Sequence, residues 1–148
     1  MRWKKWLRIF AGGAAWAAAY NSVWGIAWFV FMRREWLEAT VASGRPMPWT
    51  PDFLVVWLPL TLLFGAAITA YMTSGSPQAA ALRATLAATL VLWVPGTVGM
   101  AVWAWQEALS PRVIAIDSAV NLFAVVVASL VLGLGLGVRQ LRSASPVG

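Results

Sequence analysis

The side chains of this chain that could do chemistry are its five carboxylates and a few polar groups in apolar surroundings. Histidine and cysteine are both missing from the sequence. This excludes cysteine nucleophiles, histidine general bases, the usual zinc sites and axial histidine ligation of haem. Oxygen ligands for a hard cation are conceivable, but no spacing selects them. We therefore predict no metal, no cofactor and no catalytic residue. The acidic residues are Glu35, Glu38, Asp52, Glu107 and Asp117.

The polar tripeptide Tyr20-Asn21-Ser22 lies inside the apolar run "AAWAAAYNSVWGIAWF" at residues 14–29. Helix positions four residues apart share a face. The residues at these steps are Gly13, Ala17, Asn21 and Gly25. Small residues at this spacing let helices approach closely, and an amide can then bond across the interface. We expect Asn21 to face a neighbouring helix and to bond a Thr or Ser there, with Ser129 as a candidate. The alternative is a polar point in a ligand or transport pocket.

Similar ridges recur farther along the chain. One runs through Thr61, Gly65, Thr69 and Thr73, and another through Asn121, Val125, Ser129, Gly133 and Gly137. Pro95 interrupts a third apolar stretch, where a kink makes room for a bound molecule or serves the architecture alone. The candidate polar and packing site therefore comprises Tyr20, Asn21, Ser22, Trp24, Asn121, Ser129 and Pro95. The predicted helix-packing glycines are Gly13, Gly25, Gly65, Gly133 and Gly137.

The composition of the chain predicts the helices that position these residues. Hydrophobic residues make up 61% of the 148 positions and charged residues only 11%, whereas a soluble domain is about one quarter charged. Four long windows carry no charge: 9–32, 53–82, 84–106 and 118–138. About 20 apolar residues are enough for a helix to cross a bilayer. The sequence therefore predicts an all-α membrane protein, a bundle of four transmembrane helices.

We place the helices of this single transmembrane domain, 1–148, at about 7–32, 53–73, 79–106 and 114–139. The turn "TSGSPQ" at 73–78 separates the second and third. The outer loop 33–52 begins as an amphipathic extension of the first helix through about Val41. Asp117 is expected to cap or begin the fourth helix, which favours an acid there. The first helix is expected to be retained, because its apolar run is too long for a signal peptide.

Orientation follows from the basic residues. With four spans, the side that holds both termini carries seven Lys and Arg residues, and the opposite side carries four. The positive-inside rule then places both termini in the cytoplasm, in the cell inner membrane. Because these bases flank the apolar windows, they indicate contact with anionic lipid headgroups and not with nucleic acid.

Most of the eleven tryptophans fall near predicted membrane interfaces, where tryptophan is enriched. Trp16, Trp24 and Trp93 lie deeper. Core packing or lipid contact explains them, and contact with a pigment or quinone is the alternative.

Several of these residues also carry a family resemblance. Tyr20-Asn21-Ser22 with Trp24-Gly25, then Leu92-Trp93, and Ile116-Asp117 leading to Asn121, resemble bacterial domain-of-unknown-function family 1761. The chain departs from the family pattern at Val23, where a proline is expected. The resemblance implies a small four-helix inner-membrane protein and no established reaction.

Three functions remain open. The first is a protein without enzymatic activity that acts by helix packing, as an accessory or interaction subunit or as a binder of a lipid or apolar ligand. Its partners would be the lipid bilayer and a membrane protein or a second copy of the chain. The second is a small-solute transporter that works as an oligomer, and the third is a membrane enzyme that uses the outer carboxylates.

Overall fold

The computed structural model describes residues 2–44, 51–73, 80–105 and 110–144. Within these ranges the chain is helical and contains no strand, so the all-α prediction is confirmed. The later part of the predicted outer loop, the turn "TSGSPQ" after its first residue, and Glu107 lie outside the described residues.

The helical elements follow one another with few breaks. In chain order they are α1 (Arg2–Ala27), a first π-helical segment (Trp28–Met32), α2 (Arg33–Ser43), α3 (Pro51–Met72), α4 (Ala80–Ala88), a second π-helical segment (Thr89–Trp93), α5 (Val94–Trp105) and α6 (Pro111–Ala144). The predicted loop 33–52 thus opens with a helix that ends at Ser43. Gly44 follows with a φ of 65°, a left-handed conformation that favours glycine after a helix.

In the two π-helical segments a backbone N–H bonds the carbonyl five residues back, instead of four as in an α-helix. The N–H of Arg33 donates to the carbonyl of Trp28, and the N–H of Val94 donates to that of Thr89. Pro95 comes directly after the second of these bonds. Because proline has no N–H and its ring clashes with the carbonyl four residues back, a widened turn before Pro95 relieves the conflict.

Helix α6 begins earlier than the sequence suggested. The N–H of Val113 donates to Ser110 Oγ at 3.3 Å, so Ser110 caps a helix whose first residue is Pro111. Serine before a proline at the first helical position is a favourable start. The prediction that Asp117 caps the fourth helix is therefore wrong, because Asp117 lies in the second turn.

Helix α1 packs against α3 and α6, and α4 contacts the same two helices; α5 packs mainly against α6. Aromatic rings of α1 and the first π-helical segment form much of the core. Trp16 stacks on Tyr20 with ring centroids 5.2 Å apart, and Trp24 stacks on Trp28 at 5.4 Å. The side chains packed around them include Ile68, Met72, Ala124, Val125 and Ala128.

Two helical stretches in the described residues are long and apolar enough to cross a membrane: Leu54–Met72 and Pro111–Gly135. A shorter apolar stretch spans Thr85–Gly99. Fewer stretches pass than the four windows predicted, for two physical reasons. The apolar stretch in the third window, Thr85–Gly99, is too short, and the Tyr20-Asn21-Ser22 tripeptide lowers the hydropathy of the first window.

Candidate functional site

A series of polar contacts connects α1 and α6, and we call it the α1–α6 seam. Tyr20 donates its hydroxyl hydrogen to Asn121 Oδ1. The amide of Asn121 in turn donates to Asp117 Oδ2 at 3.2 Å. Farther along the two helices, Trp16 Nε1 donates to Ser129 Oγ at 3.3 Å. These contacts place two of the predicted polar residues, Asn121 and Ser129, opposite aromatic residues of α1.

Asp117 lies at the end of this chain of contacts and is only 6% exposed. Its carboxylate is faced by the amide of Asn121 and by the indole N–H of Trp36 on α2. Trp36 is 3% exposed, and its N–H has no regular hydrogen-bond partner among the described residues. Near this end an ion pair of 2.9 Å joins Arg112 of α6 to Glu35 of α2.

A second set of contacts, the α1–α3 seam, surrounds Asn21. Its Nδ2 donates to the carbonyl of Ala17 at 2.8 Å and to Thr61 Oγ1 at 3.1 Å. Its Oδ1 accepts from Trp57 Nε1 at 3.2 Å. The amide has two donor hydrogens and an acceptor oxygen, so every polar atom of Asn21 has a protein partner.

Glycines bring α1 and α3 unusually close along this seam. A Cβ added at Gly13 would lie 2.6 Å from the backbone nitrogen of Ala66, and one added at Gly65 would lie 2.5 Å from the carbonyl oxygen of Gly13. A Cβ at Gly12 would lie 2.5 Å from Thr69 Cγ2. A larger residue at Gly13 or Gly65 would force the two backbones apart, and one at Gly12 would require the side chain of Thr69 to move.

A third group of contacts links the second π-helical segment and α5 to α6. Trp93 Nε1 donates to the carbonyl of Ser118 at 2.8 Å. The hydroxyls of Thr97 and Ser118 lie 2.8 Å apart and share a hydrogen bond. Pro95, predicted as part of the site, is exposed.

The remaining predicted site residues have different surroundings. Trp24 is buried against Trp28, whereas Ser22 is exposed. A Cβ added at Gly25 would meet nothing within 4 Å. Gly133 is half-buried, and the surroundings of Gly137 lie outside the described part of the structure.

Sequence reasoning missed three features of these seams. It offered Ser129 as a partner for Asn21, whereas Asn21 bonds Thr61 on α3 and Ser129 accepts from Trp16. It placed Trp57 among the tryptophans of the outer membrane interface and not as a hydrogen-bond partner of Asn21. It also placed Asp117 at a helix end, although two signals in the sequence indicate that Asp117 lies inside the helix. These are the Ser110-Pro111 start signal and the four-residue spacing of Asp117 and Asn121.

The chemistry open to these seams is limited by their composition. The described residues contain no group of three or more acidic, His or Cys side chains that converges on a metal-sized site. Among the described carboxylates, Asp117 is the one classed as buried. The arrangement can hold helices together through hydrogen bonds, and at Asp117 it can hold or release a proton.

Comparison of the chain with known protein families, with curated proteins and with solved structures finds no match.

Proposed function

We propose that this chain is an integral membrane protein of four transmembrane segments, with both termini in the cytoplasm, that acts by helix packing and not by catalysis. Its role is that of an accessory or interaction subunit, or of a binder of a lipid or apolar ligand. The resemblance to domain-of-unknown-function family 1761 implies the same architecture.

The distribution of apolar side chains carries this proposal. Large hydrophobic residues face outward on every long helix; Phe29, Val55 and Leu134 are 72%, 73% and 70% exposed. An apolar surface this extensive requires lipid or protein cover. Most polar side chains of the two seams and of the third group of contacts instead bond one another, as expected where unpaired polar groups cost several kcal/mol. Further outward-facing hydrophobic residues include Leu7, Phe10, Ile26, Val56, Leu63, Leu86, Leu90, Val98 and Phe123.

Native mass spectrometry of the full chain after mild detergent extraction tests this role. We expect the chain to remain in the membrane fraction at high pH and to leave the membrane with bound lipid, a second copy or a partner protein. A chain that dissolves in water without detergent would contradict the proposal. So would a mass spectrum that shows the chain alone, without bound lipid, second copy or partner, under mild conditions.

A small-solute transporter working as an oligomer is the second candidate, and buried Asp117 favours it. Ionisable residues inside membrane helices mark ion and substrate pathways more often than structural sites. Because the chain has no cysteine, single cysteines at Asn21 and at Pro95 can be labelled without background. Transport requires both positions to react with a water-soluble thiol reagent. A cysteine at exposed Val55 provides the lipid-facing control, and lack of reaction at position 21 removes this candidate.

A further inference from the structure

We infer that Asp117 is a proton-binding site in the helical core, where uptake or release of a proton alters the contact of α6 with Trp36 of α2. The packing role gives Asp117 no task, and the transporter candidate uses it only as a buried ionisable residue without saying what it binds. The inference goes beyond the proposed function and needs only the buried position of the carboxylate.

Two arginines of α2 and α6 are already paired with glutamates. Arg112, on the same helix as Asp117, bonds Glu35 at 2.9 Å, and Arg34 of α2 bonds Glu38 at 2.8 Å. Among the described side chains, no Lys or Arg forms an ion pair with Asp117. Burial of a carboxylate without a counter-ion favours its neutral form, and hydrogen bonds to it favour its charged form.

Hydrogen-bond donors are directed toward this carboxylate. Tyr20 donates to Asn121, and Asn121 donates to Asp117. Each donor in this series of hydrogen bonds is therefore directed toward Asp117. Trp36 contributes a buried N–H that lacks a regular partner. This arrangement accepts a negative charge on Asp117 without a cation.

A proton is the ligand that suits this site. Calcium takes six to eight oxygen ligands, and a single carboxylate flanked by one amide and one indole supplies far fewer. The surrounding side chains Tyr20, Trp36, Val113 and Ala124 are themselves buried, so a larger ligand would have to displace them. A proton needs no additional volume.

Protonation of Asp117 requires only a proton from water. A hydronium ion from the adjacent water phase transfers its proton to a carboxylate oxygen, an O–H bond forms, and water remains. The neutral carboxyl then attracts the nearby indole N–H of Trp36 more weakly than the carboxylate does, which loosens α2 on α6. Release of the proton to water reverses the step.

Few other titratable groups face Asp117. Helix α1 presents Tyr20, and α2 with the start of α6 presents the Glu35–Arg112 ion pair. The second π-helical segment and α5, which also pack on α6, contain no titratable residue, and α4, which packs on α6 as well, carries Arg83. Asp117 is therefore expected to titrate as one site.

Infrared difference spectroscopy of the full chain in detergent micelles, taken as the pH is changed, tests the inference. Protonated carboxyl groups give a carbonyl band that carboxylates lack. We expect one band that titrates separately from those of exposed carboxyls, that disappears in Asp117→Asn, and that persists in Glu38→Gln, the exposed control. A full set of bands in Asp117→Asn, or a single common titration of all carboxyls, would overturn the inference.

Trp36→Phe keeps Asp117 and the aromatic packing but removes the indole N–H, and it serves if Asp117→Asn fails to fold. We expect this variant to shift the midpoint of the separate band, because the indole N–H beside the carboxyl group is removed. An unchanged midpoint would overturn the link to α2. The measurement does not depend on how many times the chain crosses a bilayer, so its failure is distinct from failure of the proposed function.

Discussion

Asn21 shows how one side chain can join two helices when all of its hydrogen-bonding atoms are used. It bonds Thr61 and Trp57 on α3 while it also bonds its own helix at Ala17. Its neighbour Tyr20 points to α6 instead. Consecutive helical residues differ by about 100° in direction, so this dipeptide reaches both neighbours of α1.

Replacement of this amide tests its contribution. Asn21→Leu keeps the branched shape of the side chain but removes the bonds to Thr61 and Trp57, and we expect a loss of about 1–2 kcal/mol in the free energy of unfolding. Unfolding in mixed micelles with a denaturing detergent measures this loss. Ser22→Ala, at the exposed adjacent position, should change stability by less than about 0.5 kcal/mol. Equal effects of the two variants would contradict a bridging role for Asn21.

The sequence indicated which polar residues need hydrogen-bond partners, but it was less informative about which residues those partners are. A four-residue spacing assigns Asn21 to a face of its helix, but it cannot identify the helix that lies opposite. That choice depends on packing over the whole chain, where the glycines of α1 and α3 bring those two helices together. The inward position of Asp117 was readable in part, because the helix start at Ser110 determines the turn in which Asp117 lies.

At the scale of the elements, α1 and α3 pack so closely because glycines lie opposite each other at Gly13 and Gly65. Their spacing was visible as small-residue ridges in the sequence. The two π-helical segments were not foreseeable from periodicity, since one surplus residue in a turn leaves the apolar pattern nearly intact. Pro95 gave a signal for the second segment and no proline marks the first.

Two glycine variants of the same helix should have opposite effects. Gly13→Ala places a methyl group 2.6 Å from the backbone of Ala66, and we expect a loss of about 1–3 kcal/mol from overpacking. Gly25→Ala meets nothing within 4 Å, and the higher helix propensity of alanine should give a gain of up to about 1 kcal/mol. The same detergent unfolding measures both variants. A loss at Gly25 as large as that at Gly13 would show that close approach is not the cause.

At the scale of the whole molecule, the outer surface is more apolar than the interior seams, and the charges gather near the ends of the apolar windows. The predicted topology depends on this separation. Seven basic residues on the side of the termini against four on the other favour cytoplasmic termini.

Reporter fusions test the topology directly. Alkaline phosphatase fused after Gly148 should be inactive, because it stays in the cytoplasm, and the same enzyme fused after Gly44 should be active. A fluorescent protein at the two positions should give the reverse pattern. Activity of the phosphatase at Gly148 would contradict the orientation, and activity at neither position would contradict an outer location for α2.

The first π-helical segment, Trp28–Met32, sets the angle at which α2 leaves α1. One surplus residue turns everything after it by roughly a quarter of a revolution. If a single residue of this segment were deleted, the helix would run on without a defect, yet Trp36 and Glu35 would swing away from Asp117 and Arg112. A shortened chain of this kind would keep its helicity and lose the angular alignment of its two ends.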